Sequence, residues 1–200
     1  MKAFYEDLWR RLPPRLDPPK AATRRAHLRA HVRVGDRVLD LGCGDGAWAA
    51  ELRSAGAAEV VGAEIAEAAL ERARARDLNG RWVLVPEDGP LPFADRSFAV
   101  VWCSETLEHV GDTAGFLAQA RRVLRPEGRF VVTVPAHPRV RTAIGALVGF
   151  ERRFPPLGDH LRFYTRRSLR DALDDAGFVP GQIHTRDGLL LVAAARPLYT

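Results

Sequence analysis

The sequence predicts an α/β fold, a doubly wound and mostly parallel sheet with helices on both faces. Three observations carry this. Val38-Leu39-Asp40-Leu41 is an apolar run that breaks into Gly42, Gly44 and Gly46, after which a helical pattern resumes. Further short, β-branched runs follow, separated by helical segments and short loops, the rhythm of a parallel sheet covered on both faces. Near the end, two β-rich runs meet at Asp187-Gly188, a hairpin signal.

Each element follows from local pattern. Phe4 to Leu12 reads as a short amphipathic helix with Tyr5, Leu8 and Trp9 on one face, ended by Pro13-Pro14 and Pro18-Pro19. Lys20 to Val32 reads as a second helix and Arg37–Leu41 as the first strand. Ala47–Ser54, closed by Gly56, is the helix after the glycine loop. Strands follow at Glu59–Ala63, Trp82–Val85, Phe98–Cys103 and Arg129–Val134, with helices at Ala66–Asp77 and Thr113–Leu124. Arg167–Ala176, closed by Gly177, is the last helix, and Phe178–Thr185 with Leu189–Arg196 form the hairpin. We expect one domain over residues 1–200, with residues 1–34 as an N-terminal helical cap. Residues 135–165 break the rhythm, and their length and proline and arginine content suit a substrate-covering insertion.

Composition narrows the class. Hydrophobic content of 46% and charged content of 28% are those of a globular domain. No stretch approaches the roughly 20 apolar residues that span a bilayer, and the start lacks the apolar core of a signal peptide. Cys43 and Cys103 make no disulfide framework and read as buried, reduced thiols, so a cytoplasmic location is expected. The net charge of +5 reflects arginine abundance, with clusters at Arg24-Arg25, Arg121-Arg122, Arg139 to Arg153 and Arg162 to Arg170. Nucleic acid would be drawn to the basic insertion if to anything, and the oligomeric state is not legible.

The glycine loop makes a ligand cradle at the carboxyl edge of the sheet. Its spacing is one residue short of the G-x-G-x-x-G of dinucleotide folds, and no Gly-Lys-Ser/Thr follows it. Asp40 and Asp45 flank it and are poor neighbours for a diphosphate. The loop suits a neutral or cationic ligand bearing amines and hydroxyls.

Val38–Gly46 resembles the first motif of class I S-adenosylmethionine-dependent methyltransferases. Val60-Val61-Gly62-Ala63-Glu64 resembles their second strand. Leu91-Pro92-Phe93, Ser97 to Val101, Ser104 to Val110 and Leu124 to Phe130 resemble their later segments in order, so the likeness covers roughly residues 35 to 196. It is greatest to the small, broad-specificity branch that includes ubiquinone- and menaquinone-type methyltransferases. Two departures stand out: Ala99 where that branch usually has Asp, and Pro86-Glu87-Asp88-Gly89-Pro90 where it commonly has Gly-Asp-Ala-Glu-Asp. The resemblance implies a Rossmann-like, seven-stranded sheet in the order 3-2-1-4-5-7-6 with the last strand antiparallel. It also implies S-adenosylmethionine as cofactor, S-adenosylhomocysteine as product and a small-molecule acceptor. An RNA methyltransferase and a non-catalytic cofactor-binding subunit are the alternatives.

By the same likeness Gly42, Cys43, Gly44 and Gly46 would cradle the cofactor, and Glu64 would hold the ribose diol. Asp40 would fix the loop or the amine of the methionine part. Ile65 and Leu91 would sandwich the adenine, with its amino group on Glu87 or Asp88 beside Gly89. Cys103 and Ser104 would line the strand edge. His109 and His160 are the candidate bases, since imidazole titrates near working pH. Glu105, Glu108 and His109 share a face if their segment is helical. Some family members hold a divalent metal with such a run and a later histidine, here His137 or His160; related metal-free enzymes carry much the same run, and no metal is expected. The N-terminal helix is either packing or a lid.

Overall fold

The computed structural model describes residues 1–13, 17–137, 142–143, 147, 159–188 and 190–199. Most of the insertion expected at 135–165, with the basic cluster at 139–153, therefore lies outside the described residues. The eight strands are β1 (Arg37–Leu41), β2 (Glu59–Glu64), β3 (Arg81–Leu84), β4 (Phe98–Ser104), β5 (Leu124–Pro135), β6 (Phe178–Pro180), β7 (His184–Arg186) and β8 (Leu190–Pro197). They form one sheet in the order β3-β2-β1-β4-β5-β8-β6, with β7 also paired to β8. Strands β1 to β5 are parallel, and β8 runs antiparallel to β5. The expected order is present. The count differs because the penultimate strand is two short pieces, β6 and β7, on one side of β8. They part at Gly181, whose N–H bonds back to Ala194 O at 2.9 Å. Strand β5 starts earlier than its apolar run suggests. Leu124 pairs with Phe98, and the register then shifts before Arg129 pairs with Val100.

The helices are α1 (Lys2–Arg11), α2 (Ala21–His31), α3 (Ala49–Ser54), α4 (Glu67–Arg76), α5 (Thr113–Val123) and α6 (Arg166–Asp175), with a 3-10 turn at Leu107–His109. Asp112 caps α5 by accepting the Gly115 N–H, and a Thr165–Ser168 capping box starts α6. Alternation along the strands divides the core between the two faces. Leu39, Val101, Phe130 and Val132 face Leu117, Val123, Leu169 and Leu173 of α5 and α6. Val38, Val100, Trp102 and Val131 face Leu28 of α2 and Trp48 and Leu52 around α3. Cys43 and Cys103 are buried free thiols. Among the described residues no helix is long and apolar enough to cross a membrane.

Phe130 joins the central sheet to the carboxyl-terminal wing, its ring stacked on Phe178 with centroids 5.2 Å apart and no exposed surface. Phe130→Ala should cost about 3–5 kcal/mol, the range for a large buried aromatic. Urea unfolding checks this; a loss under 1 kcal/mol would mean that the wing closes over the void.

Candidate active site

A cavity of about 740 Å³ opens over the carboxyl ends of the strands, where an open α/β sheet takes its ligands. Leu41 and Gly42 from β1, Ala63 and Glu64 from β2 and Val85 after β3 meet Glu105 and Thr106, which follow β4. The loop after β1 is folded over the end of β2. Gly42 and Cys43 both donate to Ala63 O, at 2.8 and 3.1 Å. Two glycines there are required by geometry. Gly42 has φ +78 and a Cβ would sit 2.3 Å from Thr106 Cγ2; Gly44 has φ +53 and a Cβ would sit 2.8 Å from Trp9.

Glu64 binds the two strand ends together. Its Oε2 accepts the Gly44 N–H at 3.1 Å, and its Oε1 accepts those of Ile65 and Ala66 at 2.7 and 3.3 Å. Burial pushes its carboxyl above the usual range despite these bonds, which pull the other way. Asp40 lies beneath, almost fully buried, with Oδ2 lacking a partner. Burial, then Glu64 and Asp45, push it up to about 8. Asp45 is turned away to an ion pair with Arg76.

The other expected residues divide. Gly42, Gly44, Glu64, Ile65, Glu87, Asp88, Gly89, Leu91 and His109 line the cavity. Glu87 is also held by the Met1 amine at 2.8 Å and the Lys2 N–H at 3.0 Å, which keep it below the usual carboxylate range. Asp40, Cys43, Gly46, Cys103 and Ser104 do not reach the wall. A Cβ at Gly46 would meet the Trp82 ring at 2.4 Å, so this glycine admits the β3 indole. Cys43 packs toward Gly62, and Cys103 is sealed in the core. The Ser104 hydroxyl is shared with Thr133 Oγ1 at 2.9 Å, across β4 and β5.

Helix α1 roofs the cavity with Tyr5, Leu8, Trp9 and Leu12. None of its residues is buried, so packing alone does not fix it. Polar clasps do. Glu6 accepts the Glu67 and Ala68 N–H groups at 2.7 and 3.0 Å, supplying the first turn of α4 with a cap from outside that helix. Arg72 of α4 donates to the carbonyls of Leu12 and Pro13 and lies over the Trp9 ring. Tyr5 Oη is buried beside His109 without a partner.

The segment after β4 does not form the single face expected of Glu105, Glu108 and His109. Glu105 has φ +53, which swings its carboxylate to Arg24 at 3.2 Å and to the Thr133 hydroxyl at 3.1 Å. Glu108 and His109 lie in the 3-10 turn. Glu108 is buried, and neither carboxyl oxygen has a partner. Burial first and Glu105 second raise it well above the usual carboxylate value. His109 Nδ1 lies 2.8 Å from Asp159 O and therefore carries the hydrogen, leaving Nε2 as the free lone pair. Burial lowers His109, which keeps it neutral. The His160 ring meets His109 edge-on with centroids 4.7 Å apart. Among the described residues, Glu108, His109 and His160 bring one donor atom each to within 4.8 Å of one another; Glu105 and His137 do not join them.

A profile of a methyltransferase domain matches residues 1–182, and the chain belongs to that family. Within it the chain has the sheet order of the class I S-adenosylmethionine-dependent methyltransferase fold. It is 42% identical over 104 residues to 27-O-demethylrifamycin SV methyltransferase of Amycolatopsis mediterranei, covering 50% of this chain and 38% of that protein. It is 33% identical over 135 residues to a ubiquinone biosynthesis O-methyltransferase of Neisseria meningitidis, covering 63% and 56%. The chain thus spans about two fifths to just over half of the length of these relatives. An S-adenosylmethionine-dependent methyltransferase from Mesorhizobium loti shares the fold with a TM-score of 0.65 at 23% identity, covering 86% of this chain and 96% of that one.

Sequence pattern passed over Glu6, Thr106, Phe116, Gln119 and Asp159. Gly115, Phe116 and Gln119 share one face of α5, and a glycine at the start of an apolar helical stripe was the available signal.

The buried Asp40 sets a pH dependence. In the free protein it is protonated below about pH 8. A cationic cofactor favours its ionised form, so binding should release a proton, and affinity for S-adenosylmethionine should rise with pH up to about 8 and then level. Calorimetry in buffers of different ionisation enthalpy reads the proton directly. Flat affinity between pH 6 and 8 with no proton released would show that Asp40 is indifferent to the ligand.

Proposed function

We propose that this domain transfers a methyl group from S-adenosylmethionine to a hydroxyl of a small-molecule acceptor, with His109 as the general base. The observation that carries this is the His109 ring. It stands on the cavity wall with its Nδ1–H held by Asp159 O and its Nε2 lone pair 3.8 Å from Glu108 Oε1, beyond hydrogen-bond distance. The cofactor supplies a methyl already activated on a cationic sulfur. The protein's task is then to align the acceptor and exclude water.

Glu64 would accept from the ribose diol through its remaining lone pairs while still bonded to the loop. Glu87 or Asp88 would take the adenine amino group, with Ile65 and Leu91 on the ring faces. Asp40 would offset the positive charge of the methionine part from below the loop. An acceptor hydroxyl would surrender its proton to His109 Nε2 as its oxygen attacks the methyl carbon and the carbon–sulfur bond breaks toward sulfur. His160 would steady the His109 ring on the acceptor side. The relatives' printed activities, methylation at a rifamycin oxygen and in ubiquinone biosynthesis, support oxygen as the target atom.

Cofactor binding is the first test. Both S-adenosylmethionine and S-adenosylhomocysteine should bind with micromolar affinity, about −8 kcal/mol. Glu64→Ala should weaken this by about 1.5–3 kcal/mol, the range for hydrogen bonds to a charged group. Calorimetry showing no heat with either ligand would remove the reading.

The base is tested by turnover against a panel of phenols and hydroxyquinones, read as S-adenosylhomocysteine formed. His109→Gln should lower kcat by roughly 10²–10⁴ with little change in cofactor affinity, and a chelator should leave the wild type unaffected. Loss of turnover on chelation, restored by added divalent ions, would instead assign Glu108, His109 and His160 to a cation.

A further inference from the structure

A second cavity lies away from the strand ends. A groove of about 1380 Å³ lies between α2 and the wing formed by β6, β7 and β8. Leu191, Ala193 and Ala195 of β8 face the core beneath α6, whereas Val192, Ala194 and Arg196 face the groove. Ala26, Ala30 and the edges of His27 and His31 form the opposite wall. At one end the Thr23 hydroxyl bonds to Asp187 and ties α2 to the hairpin turn.

The groove is cationic. Arg33, Arg186 and Arg196 line it, and none of them is ion-paired among the described residues. Most other arginines on this side are engaged: Arg25 and Arg29 with Glu51, and Arg129 with Asp36. Glu127 is the only carboxylate in the lining. Burial lowers His27 to about 4 and also lowers His31, so these two add no charge near neutrality.

Spacing decides what kind of anion fits. Arg186 pairs with Leu190 and Val179 pairs with Arg196, so the two arginines flank β8 six residues apart in register. At about 3.4 Å per residue that is roughly 20 Å. One phosphate group cannot answer both, but a nucleic acid strand, which carries a charge on every nucleotide, can. Among the described residues the lining holds no Phe, Tyr or Trp on which bases would stack.

We propose that the groove between α2 and β8 binds the phosphodiester backbone of a nucleic acid strand without reading its bases. The inference is independent of the acceptor proposed above. Arginine suits the role, because its planar fork meets phosphate oxygens in pairs.

The test is fluorescence anisotropy of a labelled mixed-sequence 20-nucleotide RNA, and of the matching single-stranded DNA, with the full chain. Three phosphate contacts predict a slope of log affinity against log salt of about −2, from about 0.7 per contact on single strands. Each single change, Arg33→Gln, Arg186→Gln or Arg196→Gln, should shallow that slope by about 0.7. The triple variant should lose salt-sensitive binding while keeping its circular dichroism and its S-adenosylhomocysteine affinity. No binding by the wild type at 50 mM salt would overturn the proposal. So would a triple variant that binds as the wild type does, or polyglutamate that displaces the RNA at equal charge, which would point to an acidic protein partner.

Discussion

The molecule turns on one carboxylate that closes one loop. Glu64, at the carboxyl end of β2, accepts the Gly44 N–H from the loop after β1 and the Ile65 and Ala66 N–H groups from its own turn. The loop can reach it only because Gly42 and Gly44 adopt positive φ, which a side chain would resist. What lies above depends on this closure. Trp9 of α1 rests where a Gly44 side chain would be, and Thr106 rests where a Gly42 side chain would be. The roof and the segment after β4 both fit against a backbone stripped of Cβ atoms. Replacing either glycine would therefore disturb three elements at once, through contact as much as through strain.

Closure concentrates acid in a dry place. Asp40, Glu64, Glu105 and Glu108 are all raised, chiefly by burial. Arg24 offsets part of this by pairing with Glu105. Asp40 and Glu108 keep carboxyl oxygens without partners, which is costly in a low dielectric and tolerable mainly for the protonated form. Such a site is poorly matched to an anionic ligand and well matched to one carrying positive charge. The electrostatics thus agree with the exclusion of diphosphates already legible from Asp40 and Asp45.

Sequence pattern reached the elements whose cause is local. The apolar run ending at Leu41, the glycines behind it and the Asp187-Gly188 turn each state their conformation in a few residues. It reached the site only as far as the strand ends. Glu105 was misplaced on a shared face because helical spacing was assumed, whereas its positive φ carries the side chain to Arg24, eighty-one residues away in sequence. Cys103 and Ser104 lie next to the right strand end but point into the sheet's interior and toward Thr133. Period-two alternation within β4 could have flagged this. Glu6 and Asp159 were not legible, because one caps a helix sixty residues away and the other acts through a backbone carbonyl that any residue would supply.

Helix α2 shows how consecutive residues can serve separate surfaces. Thr23 faces the cationic groove and bonds to the hairpin turn, while Arg24, beside it, is buried against Glu105 at the rim of the ligand cavity. Four residues from Thr23 along the same face, His27 bonds to Ala193 O of β8 at 3.1 Å. The helix is therefore fixed to the wing on one side and to the segment after β4 on the other. Its low hydropathy and few buried residues leave these polar ties as the main source of its orientation. A load on the groove side that tilted α2 would be felt first at the Arg24–Glu105 pair, and through Glu105 at Thr133 and Ser104. The two cavities have different chemistry, one acidic and one basic, and no lining residue in common.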